Sequence, residues 1–223
     1  MPILKKKFLT KAHKDARVEI ITEWFSKSHN WLSTAFSDEK RFNLDCPDNW
    51  CSYMSENDDA FREKSQCQGG SVMIWVMVMP NGLLTHKIIN GILKSNNYLQ
   101  LLKDTVFPIL CLNYGNNAVY QDDNCSVHRA AKVKEFWQIS KIQNLKRPSR
   151  SPDLNITEDV WKLISDSVYD GPQFKSKDIL INKINIVIND INRFRREEIR
   201  KLFCGFTTRL CKVLRKNGNL YNK

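Results

Sequence analysis

The chain has 223 residues, 42% of them hydrophobic and 26% charged, which suits one sizeable globular core and excludes a disordered or fibrous chain. Its formal net charge of +11 favours a polyanionic partner, and its longest apolar run, Val72 to Met79, is far too short to span a bilayer. The seven cysteines are odd in number and include no CxxC pair, which argues against a disulfide framework or a zinc module; Cys46 and Cys51 are the best-spaced pair.

The first residues, Met1 to Lys7, are basic but lack the apolar stretch of a secretory leader. From Phe8 to Ser28 the apolar positions Phe8, Ala12, Ala16, Ile20 and Trp24 recur every fourth residue, which predicts an amphipathic helix. Trp31 to Ser37 predicts a strand ending at Asp38, and Arg41 to Leu44 the start of a second. Residues 45–70 are polar and irregular and read as a loop or weak strands. Ser71 to Met79 is apolar on both faces, as in a strand covered from both sides; Pro80-Asn81-Gly82 is a turn, and Leu83 to Ile89 the returning strand of a hairpin. Trp75 belongs to the core.

A helix is predicted from Asn97 to Leu112, a short strand from Asn117 to Asp122, a helix from Arg129 to Ile139 and a short strand from Ile142 to Leu145. Pro148 to Asn155 is turn-rich. Asn155 can cap the next helix, with Glu158 at its third position; Val160, Ile164 and Val168 form the apolar stripe, and Trp161 reads as core. After Gly171-Pro172 a long helix runs from about Lys177 to Phe194, and one or two shorter helices finish the chain. This order predicts a mixed sheet covered by helices.

Three acids stand in distinctive strings: Asp38 in Phe36-Ser37-Asp38-Glu39, Asp123 in Gln121-Asp122-Asp123-Asn124 with His128 close behind, and Glu158 after Ser151-Pro152-Asp153-Leu154-Asn155. Carboxylates gathered at a sheet edge are what a two-metal phosphoryl-transfer site requires. Strand alternation turns Asp122 away from Asp123, and a Glu near a helix start has a competing role as a capping residue. Basic residues cluster at Lys5, Lys6, Lys7, Lys11 and Lys14, at Lys146, Arg147 and Arg150, and from Arg193 to Lys216, including Arg195 and Arg196. Such clusters hold phosphates without reading sequence, or are solvated helix faces. The Lys146 to Arg150 group adjoins the third acidic string and is favoured for DNA contact.

The acidic strings, with Val72-Met73-Ile74-Trp75 between the first two, resemble the catalytic domain of Tc/mariner superfamily transposases, the DDE class. The 34 residues between Asp123 and Glu158 are the spacing of the branch whose third acid is Glu. The resemblance covers about residues 8–170. It implies an α/β, ribonuclease H-like mixed sheet flanked by helices, with an N-terminal linker helix over 1–28 and a catalytic domain with extra C-terminal helices over 29–223. It implies Asp38, Asp123 and Glu158 as catalytic ligands of two Mg²⁺ or Mn²⁺ ions, with Asp38 shared and the others holding one each. Asn124 and His128 are candidates to orient the ligands.

The implied activity is metal-dependent DNA strand cleavage and strand transfer in DNA transposition and integration, on double-stranded DNA at element ends and target, by a homodimer in the nucleus. The helix-turn-helix modules that precede the linker helix in this family are expected to be missing, so sequence-specific end binding is not expected. The alternative from another class is a catalytically inactive or domesticated transposase-derived DNA-binding protein. The chain departs from the family pattern at Ser126, Ile156-Thr157 and Val76, where Pro, Pro-Ile and Gly are usual. Loss of the Pro weakens pre-organisation of the helix carrying Glu158.

Overall fold

The computed structural model describes residues 9–45, 70–123 and 125–221. The first helix, α1 (Lys11–Ser26), starts at a capping box in which Thr10 accepts the His13 amide proton and the His13 ring reaches back to the Thr10 amide. Five strands follow: β1 (Thr34–Asn43), β2 (Ser71–Val78), β3 (Leu84–Ile89), β4 (Val119–Gln121) and β5 (Gln143–Asn144). Their order across the sheet is β3-β2-β1-β4-β5. β1, β2 and β3 are antiparallel neighbours, while β4 pairs parallel to β1 and β5 parallel to β4.

Strand alternation sorts the apolar residues into two cores. Phe36, Phe42, Val72, Ile74, Val76, Val78 and Val119 face one side; Ala35, Trp75, Met77 and Tyr120 face the other. The second core is covered by α2 (Ser95–Leu101), α3 (Phe107–Tyr114) and α4 (Ala131–Ser140). The first is covered by α1, α5 (Thr157–Val168), α6 (Lys177–Phe194), α7 (Arg196–Cys204) and α8 (Phe206–Arg215). Val160, Trp161, Ile164 and Val168 of α5 are buried there, each contributing about 1.5–3 kcal/mol by leaving water. Among the described residues no helix is long and apolar enough to cross a membrane.

The mixed sheet flanked by helices is as expected, and α6 has the predicted bounds. Two local predictions are corrected. The strand expected to end at Asp38 and its successor at Arg41 are one continuous β1, entered through a 3₁₀ turn at Trp31–Ser33. The pairing of β2 from Ser71 to Val78 against Asn43 to Phe36 holds the polar run Asp38-Glu39-Lys40-Arg41 extended. The helix expected over 97–112 is interrupted by a π-helical turn at Leu102–Val106. It precedes Pro108, which has no amide proton to offer the preceding turn.

Helix α1 is bound into the domain. Arg17 is fully buried and donates from Nη1 and Nη2 to Asp153 at 2.8 and 2.6 Å, and from Nε to the Gly218 carbonyl at 2.8 Å. Gly218 has φ +76°, and a Cβ there would lie 2.3 Å from the Lys14 carbonyl, so the closing turn sits on α1 only because this residue is glycine. Asp153 also accepts the Tyr221 amide proton at 2.8 Å. One carboxylate thus ties both ends of the described chain to the segment that leads into α5.

Candidate active site

Parallel pairing of β1 and β4 runs Thr34 with Val119, Ala35 with Tyr120 and Phe36 with Gln121, and there β4 stops. Beyond Phe36, β1 has no paired strand on that edge among the described residues. Asp38 and Asp123 each lie two residues past the last pair, at equivalent positions on the open edge. By alternation Asp38 shares the face of Phe36, the one on which α5 packs. Glu158 is exposed in the first turn of α5.

Asp38 is held by the loop that starts α5. Its Oδ2 accepts from Asn155 Nδ2 at 3.0 Å and from Thr157 Oγ1 at 3.4 Å, and its Oδ1 accepts the Glu39 amide proton at 3.0 Å. Burial pushes its pKa up to about 6; the Glu39 and Glu158 carboxylates push the same way, and the Arg147 guanidinium and the Glu39 amide oppose them. Asn155 has a second job, since its Oδ1 accepts the Thr157 amide proton at 3.2 Å. The expected cap is thus one residue early: the helix starts at Thr157 behind Ile156, which makes no side-chain cap bond, so the Asn155 bond lies just ahead of the cap and Glu158 is the second helical residue rather than the third. Ile156, where proline is usual, has φ −66°, the value proline would fix, so that departure leaves the backbone unchanged.

Asp123 has the opposite surroundings. Its Oδ1 accepts from the Cys125 amide at 2.9 Å and lies 2.7 Å from His128 Nδ1. Burial works against its charge, but the hydrogen bonds from His128 and Cys125 outweigh it and hold the pKa below the usual carboxylate range. The His128 side chain is only 3% exposed; its ring lies 4.1 Å from that of Tyr98, and its Nε2 is 3.4 Å from Glu39 Oε1. Burial depresses its pKa, yet the hydrogen bonds to Asp123 and Cys125 and the nearby Glu39 carboxylate carry it well above the ordinary imidazole value. Asp122 faces the other core, where Tyr98 Oη donates to it at 2.7 Å, and burial chiefly raises its pKa. Asn124 lies outside the described residues.

Arg147 is close enough to Asp38 for its charge to be felt there, whereas Lys146 lines a groove with Glu23 and Trp24 of α1 and Lys27 just after it. Arg150 is exposed in the turn before α5. Arg195 and Arg196 lie elsewhere. Arg195 pairs with Glu198 and donates to Ser167 Oγ at 3.4 Å, nine residues and about 13 Å along α5 from Glu158. The Arg196 backbone abuts Gly82 in the β2–β3 turn, and its Nε donates to the Asn192 carbonyl. Sequence reasoning missed Asn155, Thr157 and Glu39 as partners of these groups. Asn155 was legible as a residue that bonds the start of α5, but its second bond depends on β1 passing behind it.

A mixed five-stranded sheet in the order β3-β2-β1-β4-β5, covered by helices on both faces, defines the ribonuclease H-like fold class. A crystal structure of the catalytic domain of Mos1 mariner transposase shares this fold with a TM-score of 0.72 at 14% identity, covering 96% of this chain and 98% of that one. The Mos1 mariner paired end complex with Mn matches at a TM-score of 0.78 and 15% identity, covering 100% of this chain and 69% of that one. Residues 33–181 match the DDE superfamily endonuclease family, and the chain belongs to it. It is 26% identical to the Tc3 transposase of Caenorhabditis elegans over 219 residues, 96% of this chain and 64% of the relative. It is 29% identical to the Tc1 transposase of the same organism over 170 residues, 71% and 60%. Its sequence places it with the Tc/mariner transposases, and it spans somewhat under two thirds of the length of these curated relatives.

Proposed function

We propose that this domain cleaves and joins DNA strands at the open edge beside β4, with Asp38, Asp123 and Glu158 as ligands for two Mg²⁺ or Mn²⁺ ions. The observation that carries this reading is the state of Asp38. A carboxylate half buried beside two others, with a pKa raised to about 6, is a site of excess negative charge built from hard oxygen donors. That fits a hard divalent cation, and Asp123 is compatible because the bonds from the Cys125 amide and from His128 Nδ1 share the one oxygen Oδ1. When bound, such ions activate an attacking oxygen and stabilise the leaving one.

The chain's own contribution is placement. Asn155 and Thr157 fix the Asp38 carboxylate, His128 and the Cys125 amide fix Asp123 in its ionised form, and the first turn of α5 presents Glu158. Arg147 adds a positive charge beside Asp38 that suits an incoming phosphate, with Lys146 and Arg150 along the same segment. The partner is double-stranded DNA, and a homodimer acting in the nucleus follows from the same reading by analogy with paired-end transposases.

The test is nicking of supercoiled plasmid with Mg²⁺ or Mn²⁺. Asp123→Asn should lower the rate about a thousandfold, since a metal ligand supports several kcal/mol of transition-state stabilisation. Equal nicking by both proteins would overturn the assignment.

A further inference from the structure

The turn after β4 brings together three groups of unlike chemistry. A carboxylate oxygen of Asp123, the Sγ of Cys125 and a ring nitrogen of His128 all lie within 4.8 Å of one another, the only such trio among the described residues. An oxygen, a sulfur and a nitrogen make a poor set for Mg²⁺, which avoids thiolates, and a good one for Zn²⁺. Zinc bonds of about 2.0–2.3 Å in a tetrahedron set ligand atoms roughly 3.2–3.8 Å apart, so the Asp123–His128 pair, now 2.7 Å apart, opens slightly to admit the ion while the trio as a whole stays within 4.8 Å.

A second observation supports a ligating role for His128. Its two ring nitrogens are used differently: Nδ1 faces Asp123, and Nε2 faces Glu39 Oε1 at 3.4 Å. Both Nε2 and Oε1 are buried without a well-formed hydrogen bond. A carboxylate behind a ligating imidazole is the usual way a metal-bound histidine is oriented, and stacking on Tyr98 holds the ring plane.

We propose that Asp123, Cys125 and His128 bind a Zn²⁺ ion that withdraws Asp123 from the catalytic ions and so inhibits the enzyme. Binding releases the thiol proton and the proton shared by Asp123 and His128 to solvent, while Nε2–H stays on the ring and donates to Glu39. Water fills the fourth position. The inhibitory half rests on Asp123 being a catalytic ligand; the binding half does not.

The experiment uses Co²⁺ as a spectroscopic substitute for Zn²⁺ on the full chain. Wild type should develop a thiolate-to-cobalt charge-transfer band that saturates at one equivalent and is displaced by Zn²⁺. Cys125→Ser should lose the band and bind Zn²⁺ at least about tenfold more weakly, and Glu39→Ala should weaken it about tenfold. With saturating Mg²⁺, stoichiometric Zn²⁺ should suppress plasmid nicking by wild type but not by Cys125→Ser, each protein being compared with its own rate in the absence of Zn²⁺. A band that persists in Cys125→Ser, or equal Zn²⁺ affinity in the two proteins, would overturn the zinc site. A Cys125-dependent band in a chain that never nicks DNA would support the zinc site and overturn the catalytic reading instead.

Discussion

Asp38 and Asp123 occupy equivalent places on neighbouring strands, yet their surroundings oppose each other. Asp123 is partnered by an imidazole and an amide and stays ionised far below neutral pH. Asp38 accepts hydrogen bonds from Asn155, Thr157 and the Glu39 amide, and its burial and two neighbouring acids outweigh the charge of Arg147, which makes its own charge costly. On the proposed function, one ligand would be fixed in advance by the protein, and the other would be held at a cost that a bound cation relieves. Asp153 is a third point on this scale, a carboxylate of the same chain that is fully paired and carries no site.

The largest effect should come from breaking the paired end of that scale. Asp153→Ala leaves Arg17 buried with no carboxylate, and the loss of one partner of such a pair costs about 3–5 kcal/mol. Urea unfolding at neutral pH measures it. A loss below about 1 kcal/mol would mean that the network is no stronger than a surface pair.

Asp38→Asn should act in the opposite direction. The folded-state pKa of Asp38 is raised from 3.8 to about 6, so the folded protein binds its proton more tightly than the unfolded chain does. The stability this provides is present at acid pH and is lost as pH rises through about 6. Without divalent metal, the asparagine variant should therefore become increasingly more stable than wild type between pH 4 and 6, by at most about 3 kcal/mol above that window, while losing nicking activity. Added Mg²⁺ should narrow the gap by stabilising only wild type. Equal stability at pH 5 and pH 7 in the absence of metal would remove the contrast with Asp123.

These differences were only partly legible in the sequence. The apolar periodicities of α1 and α6 and the two-faced run in β2 read correctly because burial alone dictates them. The three acids were legible as strings, and Asp122 could be set aside by alternation. The continuity of β1 was not, because Asp38-Glu39-Lys40-Arg41 reads as a turn unless β2 is known to lie alongside. The π-helical turn was not read from the apolar spacing of Leu102 and Val106, which an unbroken α-helix would also satisfy. The unlike environments of Asp38 and Asp123 depend on Asn155, Thr157, His128 and Glu39 arriving from separate segments, which no local pattern encodes. Arg195, read as part of a basic run, is paired with Glu198 three residues on.

The smallest effect tests whether Glu158 faces the pair as proposed. Glu158 is exposed, so water screens its field, and its repulsion of Asp38 stands behind burial and the nearer Glu39. Glu158→Gln removes one negative charge at nearly constant shape. It should lower the Asp38 titration midpoint from about 6 by a few tenths of a pH unit, and by no more than about one. Carboxyl-carbon NMR titration of metal-free protein resolves that shift. The Asp123 midpoint should stay where it is, because its position is set by His128 and the Cys125 amide at 2.7 and 2.9 Å rather than by the third acid. If both midpoints moved together, the two aspartates would titrate as one unit and Asp123 would not be fixed in advance. If neither moved, α5 would not bring Glu158 within electrostatic reach of the edge, and the third ligand would have to come from elsewhere.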